Sequence, residues 1–136
     1  MITGACFCGE VRYEISGRLY DARSCHCSLC RKASSSQASA YALVDDAQFR
    51  WVAGETLLTS YVGERGFGLQ FCSCCGSTLC GIHDGTAHGV TLGCLNDDPE
   101  IEIARHIFVG SKAAWEVIPE GVTTFDAGPD DDVNDG

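Results

Sequence analysis

Phe71-Cys72-Ser73-Cys74-Cys75-Gly76-Ser77 is the stretch on which the fold turns. Cys72 and Cys75 can present two thiolates from one tight turn, and the glycine behind them lets the backbone bend around whatever the sulfurs hold. Cys6-Phe7-Cys8-Gly9 repeats the device near the start of the chain with a one-residue spacer. Tetrahedral zinc takes four ligands, with sulfur at about 2.3 Å. Cys6 and Cys8 with Cys72 and Cys75 therefore read as two half-sites from distant parts of the chain, closing into one structural zinc site that staples the fold. Reduced core cysteines would not need paired spacing with a trailing glycine.

A second grouping, Cys25-His26-Cys27-Ser28-Leu29-Cys30, offers three thiolates within six residues and is followed by Arg31-Lys32. Spacing leaves two readings of it. Either three ligands leave an open position for chemistry, as in catalytic zinc sites, or Cys74, Cys80, Cys94 or His26 closes a second structural site. If the segment is extended, His26 points away from its two cysteine neighbours and serves a structural hydrogen bond. Arg31 and Lys32 are candidates for receiving substrate carboxylates. Cys80 and Cys94 read as small core residues, Cys74 as an exposed thiol, and Trp115 as core.

Ten cysteines in 136 residues carry no secretion-type leader ahead of them, so they read as metal ligands of a reducing compartment and not as disulfides. This makes a cytoplasmic location the expectation. No apolar run approaches the length of a membrane span. The net charge of −10, with no basic patch, argues against a nucleic-acid partner, whose binding would need phosphates neutralised. The last eleven residues hold five aspartates and neither Lys nor Arg, so residues 126–136 read as an acidic flexible tail behind a single domain of residues 1–125. The oligomeric state is not legible.

Val11-Arg12-Tyr13-Glu14-Ile15 alternates as a strand does. Similar stretches at 37–44, 49–52, 57–61, 68–71, 90–95 and 101–109 stand between turn signals such as Ala53-Gly54-Glu55 and Asn96-Asp97-Asp98-Pro99. Helix is confined to a turn or two at Ser28–Ser34 and around 111–116. The fold class is mainly β with short helical turns.

Three further segments complete a pattern: Gly4-Ala5-Cys6-Phe7-Cys8-Gly9-Glu10-Val11-Arg12-Tyr13, Gly93-Cys94-Leu95-Asn96-Asp97-Asp98-Pro99, and His106-Ile107-Phe108-Val109-Gly110-Ser111-Lys112-Ala113-Ala114-Trp115. With the two cysteine motifs above, in this order, the chain resembles the glutathione-dependent formaldehyde-activating enzyme family. The resemblance implies zinc-stapled β-sheets and two Zn²⁺ ions. Cys6, Cys8, Cys72 and Cys75 would hold the structural ion, and Cys25, Cys27 and Cys30 an open, reactive one. It implies a zinc-dependent carbon–sulfur lyase-like activity on a thiol adduct, the family's reaction being S-hydroxymethylglutathione formation from formaldehyde and glutathione. The alternative is a non-catalytic zinc module that binds a protein partner. Family members usually carry a glycine near Ser35, where this chain has Ala33-Ser34-Ser35-Ser36.

Overall fold

The computed structural model describes residues 1–128, and strands dominate them. In chain order the strands are β1 (Ile2–Ala5), β2 (Arg12–Ile15), β3 (Tyr20–Cys25), β4 (Ser39–Leu43), β5 (Phe49–Ala53), β6 (Leu58–Val62), β7 (Phe67–Cys72), β8 (Thr78–His83), β9 (Thr86–Thr91) and β10 (Arg105–Ile107). Helix α1 (Ser28–Ser34) lies between β3 and β4. The chain forms two compact units from interleaved segments: Met1–Tyr20 with Tyr41–Ile101, and Asp21–Ala40 with the chain from Glu102 onward.

In the first unit, β1, β2 and β5 form an antiparallel sheet in that order. Alternation along β2 sends Tyr13 and Ile15 inward and Arg12 out. The Tyr13 ring stacks on Phe49 at 4.9 Å and meets Trp51 edge-on at 5.7 Å. Gly4 lies so close to that ring that a Cβ would stand 2.2 Å from it, which is why β1 carries no side chain there. A second antiparallel ladder runs β4-β9-β8-β7-β6. Val11, Tyr13, Ile15, Leu79 and Val90 are almost wholly buried; each such side chain is worth about 1.5–3 kcal/mol of transfer free energy.

In the second unit, β3 and β10 pair in parallel, with Arg23 opposite Arg105, Ser24 opposite His106 and Cys25 opposite Ile107. The Asp21 carboxylate pairs with Arg23 and, at 3.0 Å, with Arg105, so one carboxylate bridges the two arginines of this edge. Beyond β10 the chain turns at Val109–Ser111 and comes back beside itself: His106 N–H donates to the Thr123 carbonyl, and Phe125 N–H to that of His106.

The mainly β class is what the pattern leads one to expect, and α1 falls where the helical turn is anticipated. β1, β3 and β8 are not anticipated. In β3, Ala22, Arg23, Ser24 and Cys25 are all buried, so paired arginine and serine hide the alternation. Extended structure expected at 90–95 stops at Thr91, where a 3-10 turn over Leu92–Cys94 takes over, so Cys94 is half-buried in a turn. Of 101–109 only Arg105–Ile107 is strand. Trp115 is not core but 71% exposed; Ala113 takes the buried place and Glu116 turns inward instead. The expected acidic tail lies outside the described residues from 129 on, while the carbonyls of Asp126 and Ala127 accept the N–H groups of Gly110 and Phe108. No helix among the described residues is long and apolar enough to cross a membrane.

Candidate metal centres

The first unit gathers Cys6, Cys8, Cys72 and Cys75, their sulfurs all within 4.8 Å of one another. Cys72 is the last residue of β7, and Cys6 follows β1 directly, so two strand ends deliver the two turns. Each turn closes on a glycine with positive φ. Gly9, at +82°, donates its N–H to the Cys6 carbonyl at 3.0 Å, and Gly76, at +80°, donates to that of Cys72 at 2.7 Å. An L side chain would be strained at either.

Neighbouring sulfurs stand 3.6 Å apart for Cys6 and Cys8 and 3.9 Å apart for Cys8 and Cys72. Four sulfurs at about 2.3 Å from a tetrahedral ion lie about 3.8 Å from one another. The spacing thus matches a shared ion and is far too long for a disulfide of about 2 Å. All ten cysteines are free. Desolvation pushes the Cys75 thiol up, but the backbone N–H groups of Cys8 and Ser77 and the sulfurs of Cys72 and Cys6 outweigh it and bring it down to about 6.

The second unit gathers Cys25, Cys27 and Cys30, again with sulfurs within 4.8 Å of one another. Cys25 ends β3 and is buried; Cys27 and Cys30 are half-exposed. Cys27 caps α1, its Sγ accepting the Cys30 N–H at 3.3 Å, so the helix start and the cluster are one construction. Hydrogen bonds from Cys25 and then Cys30 hold the Cys27 thiol well below its ordinary value. Its contact with Cys27 raises Cys25 to about 11 against an opposing contact with Cys30, and contacts with Cys25 and then Cys27 push Cys30 up. Crowded thiolates repel one another, and a bound cation is what would let all three ionise together.

The other candidates for closing this cluster are occupied elsewhere. Cys80 is buried with its Sγ on Gln70 Oε1 at 3.2 Å, and Cys94 Sγ meets Ser77 and the Thr78 carbonyl. Cys74 is exposed and is not among the sulfurs gathered with Cys25, Cys27 and Cys30. His26 is fully buried with Nδ1 2.7 Å from Glu116 Oε1 and Nε2 3.0 Å from His106 Nδ1, so both ring nitrogens are committed. Sequence reading missed Glu116 and His106 as partners, because nothing in their spacing announces a contact eighty or ninety residues away.

Arg31, on α1, sets Nη2 3.4 Å from the Ser111 carbonyl and has its Nε buried without a partner; Lys32 is exposed. Ser35, the C-cap of α1, sits in the left-handed region at φ 52°, where a glycine would rest without strain.

A mainly β chain with two cysteine clusters able to hold metal ions defines the class as a small cysteine-rich β protein. A family model described as glutathione-dependent formaldehyde-activating enzyme matches residues 1–111, and the chain belongs to that family. Its fold is similar to a crystal structure of a Rhodobacter sphaeroides protein, a structural-genomics target, at 26% identity and a TM-score of 0.58, over 90% of this chain and 98% of that one. No curated protein matches.

Proposed function

We propose that this chain is a two-zinc enzyme of carbon–sulfur lyase type that makes and breaks the adduct of a small aldehyde with a low-molecular-weight thiol. Formaldehyde and glutathione are the first candidates, as the family membership suggests, and the cytoplasm is the proposed place of work. The observation that carries the reading is the Cys25, Cys27 and Cys30 cluster, which has no fourth Cys, His, Asp or Glu donor beside it among the described residues.

Cys6, Cys8, Cys72 and Cys75 would hold a structural zinc, and Cys25, Cys27 and Cys30 the second. Zinc held by three thiolates supplies an open position that lowers the pKa of a bound thiol, and its charge-rich sulfur shell favours thiolate exchange over water activation. In the forward direction the thiol sulfur forms a bond to the aldehyde carbon. The carbonyl π pair moves to oxygen, and the proton lost from sulfur ends on that oxygen as a hydroxymethyl group. The reverse reaction restores thiol and aldehyde. The Arg31 guanidinium, steadied by the Ser111 carbonyl, and the exposed Lys32 are the cations that would receive substrate carboxylates.

Exchange of formaldehyde with a panel of thiols, followed by NMR with and without protein, tests this. Acceleration for at least one thiol is expected, abolished in Cys27→Ser. In Arg31→Gln the KM for the thiol should rise about 10-fold with kcat little changed, the value of one charge-assisted hydrogen bond. No acceleration for any thiol would favour the partner-binding module, for which the exposed Leu29, Trp115 and Val117 supply apolar surface.

A further inference from the structure

We infer that Glu116, His26 and His106 form a part-buried brace that fixes the three-cysteine loop, which makes them positioning residues of that site. The inference rests on the reading of Cys25, Cys27 and Cys30 as metal ligands.

The chain of contacts has a direction. A carboxylate only accepts, so His26 Nδ1–H donates to Glu116 Oε1 at 2.7 Å. In the neutral ring Nε2 is then an acceptor, and it faces His106 Nδ1 at 3.0 Å. The His26 backbone is fixed too, its N–H donating to the Ile107 carbonyl at 2.9 Å. Backbone and side chain of the residue between two cysteines of the cluster are thus both anchored.

The anchors are themselves held. His106 lies in β10 opposite Ser24 and is bonded on its other side to Thr123 and Phe125. Glu116 N–H donates to the Ala113 carbonyl, and Lys112 Nζ lies 3.0 Å from the Glu116 carbonyl oxygen. Strand alternation puts His106 on the face opposite the Cys25 and Ile107 pair, so the brace works from behind the loop and not as a donor into it.

Apolar side chains would fill this space at lower desolvation cost, but they would not fix direction. A satisfied, part-buried hydrogen-bond chain does, and it holds Cys25 and Cys27 on either side of an anchored residue. Groups that orient metal ligands from behind are typically worth 10–100-fold in metal affinity.

The test uses the full chain loaded with Co²⁺, whose thiolate charge-transfer bands report both sites during chelator competition. In Glu116→Ala the affinity of one of the two ions should fall 10–100-fold while the other is unchanged. Glu116→Gln, which keeps the shape and an acceptor oxygen, should recover to within about threefold. Unchanged affinity for both ions in Glu116→Ala, or equal loss at both, overturns the brace. If that variant does not fold, His106→Asn, which keeps a donor, is compared with His106→Leu under the same criteria. Hydrogen exchange of the 25–30 segment provides a readout without metal stoichiometry: protection should drop in Glu116→Ala, and unchanged protection also overturns the brace. A wild-type chain that binds a single ion defeats the two-zinc proposal, while the exchange experiment still judges the brace.

Discussion

The two cysteine clusters use the same chemistry and are built in opposite ways. Cys8 and Cys72 stand 64 residues apart, so an ion between them closes a long loop. Cys25, Cys27 and Cys30 are neighbours, and an ion among them closes almost nothing. In the chain-entropy model a cross-link over the longer span is worth about 4 kcal/mol, against about 2 for six residues. On the two-zinc proposal the long-range site would therefore hold the fold, whereas the local one would have to be held by it. That difference explains why the local cluster needs a helix cap on one side and Glu116, His26 and His106 behind.

The sharpest way to break this comparison is to remove one ligand from each site. Structural zinc sites contribute roughly 10–16 kcal/mol, comparable to a small domain's whole stability of about 5–15. Cys72→Ser should abolish the cooperative thermal transition seen by circular dichroism. Cys27→Ser should lose one ion by elemental analysis and keep that transition within a few degrees. Equal losses of melting temperature would show that the sites are alike.

A middle-sized effect concerns the brace. Burial, and then the positive charge His26 would carry, hold the His106 imidazole below its ordinary value of 6.5. A base depressed in the folded state binds fewer protons there than when unfolded. Stability should thus be intact above pH 6.5 and decline as the pH falls from 6.5 toward the lowered folded value. The ring-proton NMR titration of His106 should show a midpoint below 6.5, and the urea midpoint should drop across that interval. A midpoint at or above 6.5 contradicts the sign.

The smallest effect is at the far end of α1. Ser35 holds a left-handed conformation costing about 1 kcal/mol for a residue with a Cβ. Ser35→Gly should raise the urea midpoint without altering metal content or the slope of the transition. A fall in the midpoint would mean that the entropy glycine adds to the unfolded chain outweighs the relieved strain.

How much of this could be read from the sequence divides along the same line. The glycine-tailed cysteine pairs are legible because metal ligation and positive φ each demand a particular residue type, and the structure brings Cys6, Cys8, Cys72 and Cys75 together. The helix following Cys27 is legible from the C-x-x-C spacing. Glu116 and His106 are not, since a contact between units of sequence so far apart depends on β10 pairing with β3, and three-residue strands leave no periodicity. Trp115 misleads for a related reason: hydrophobicity says what burial would gain, but the Ala113 turn decides which neighbour faces inward.

The interleaving of the two units also sets an order of events on the ribosome. All four ligands of the long-range site have been synthesised once Cys75 is made, whereas the loop at 25–30 has to wait for His106 and Glu116. The 41 residues from Cys75 to Glu116 take about 2–8 s at 5–20 residues per second. During that interval the nascent chain has all four cysteines of one cluster and three unsupported thiols of the other, so on the two-zinc proposal the two ions would be acquired at separate times.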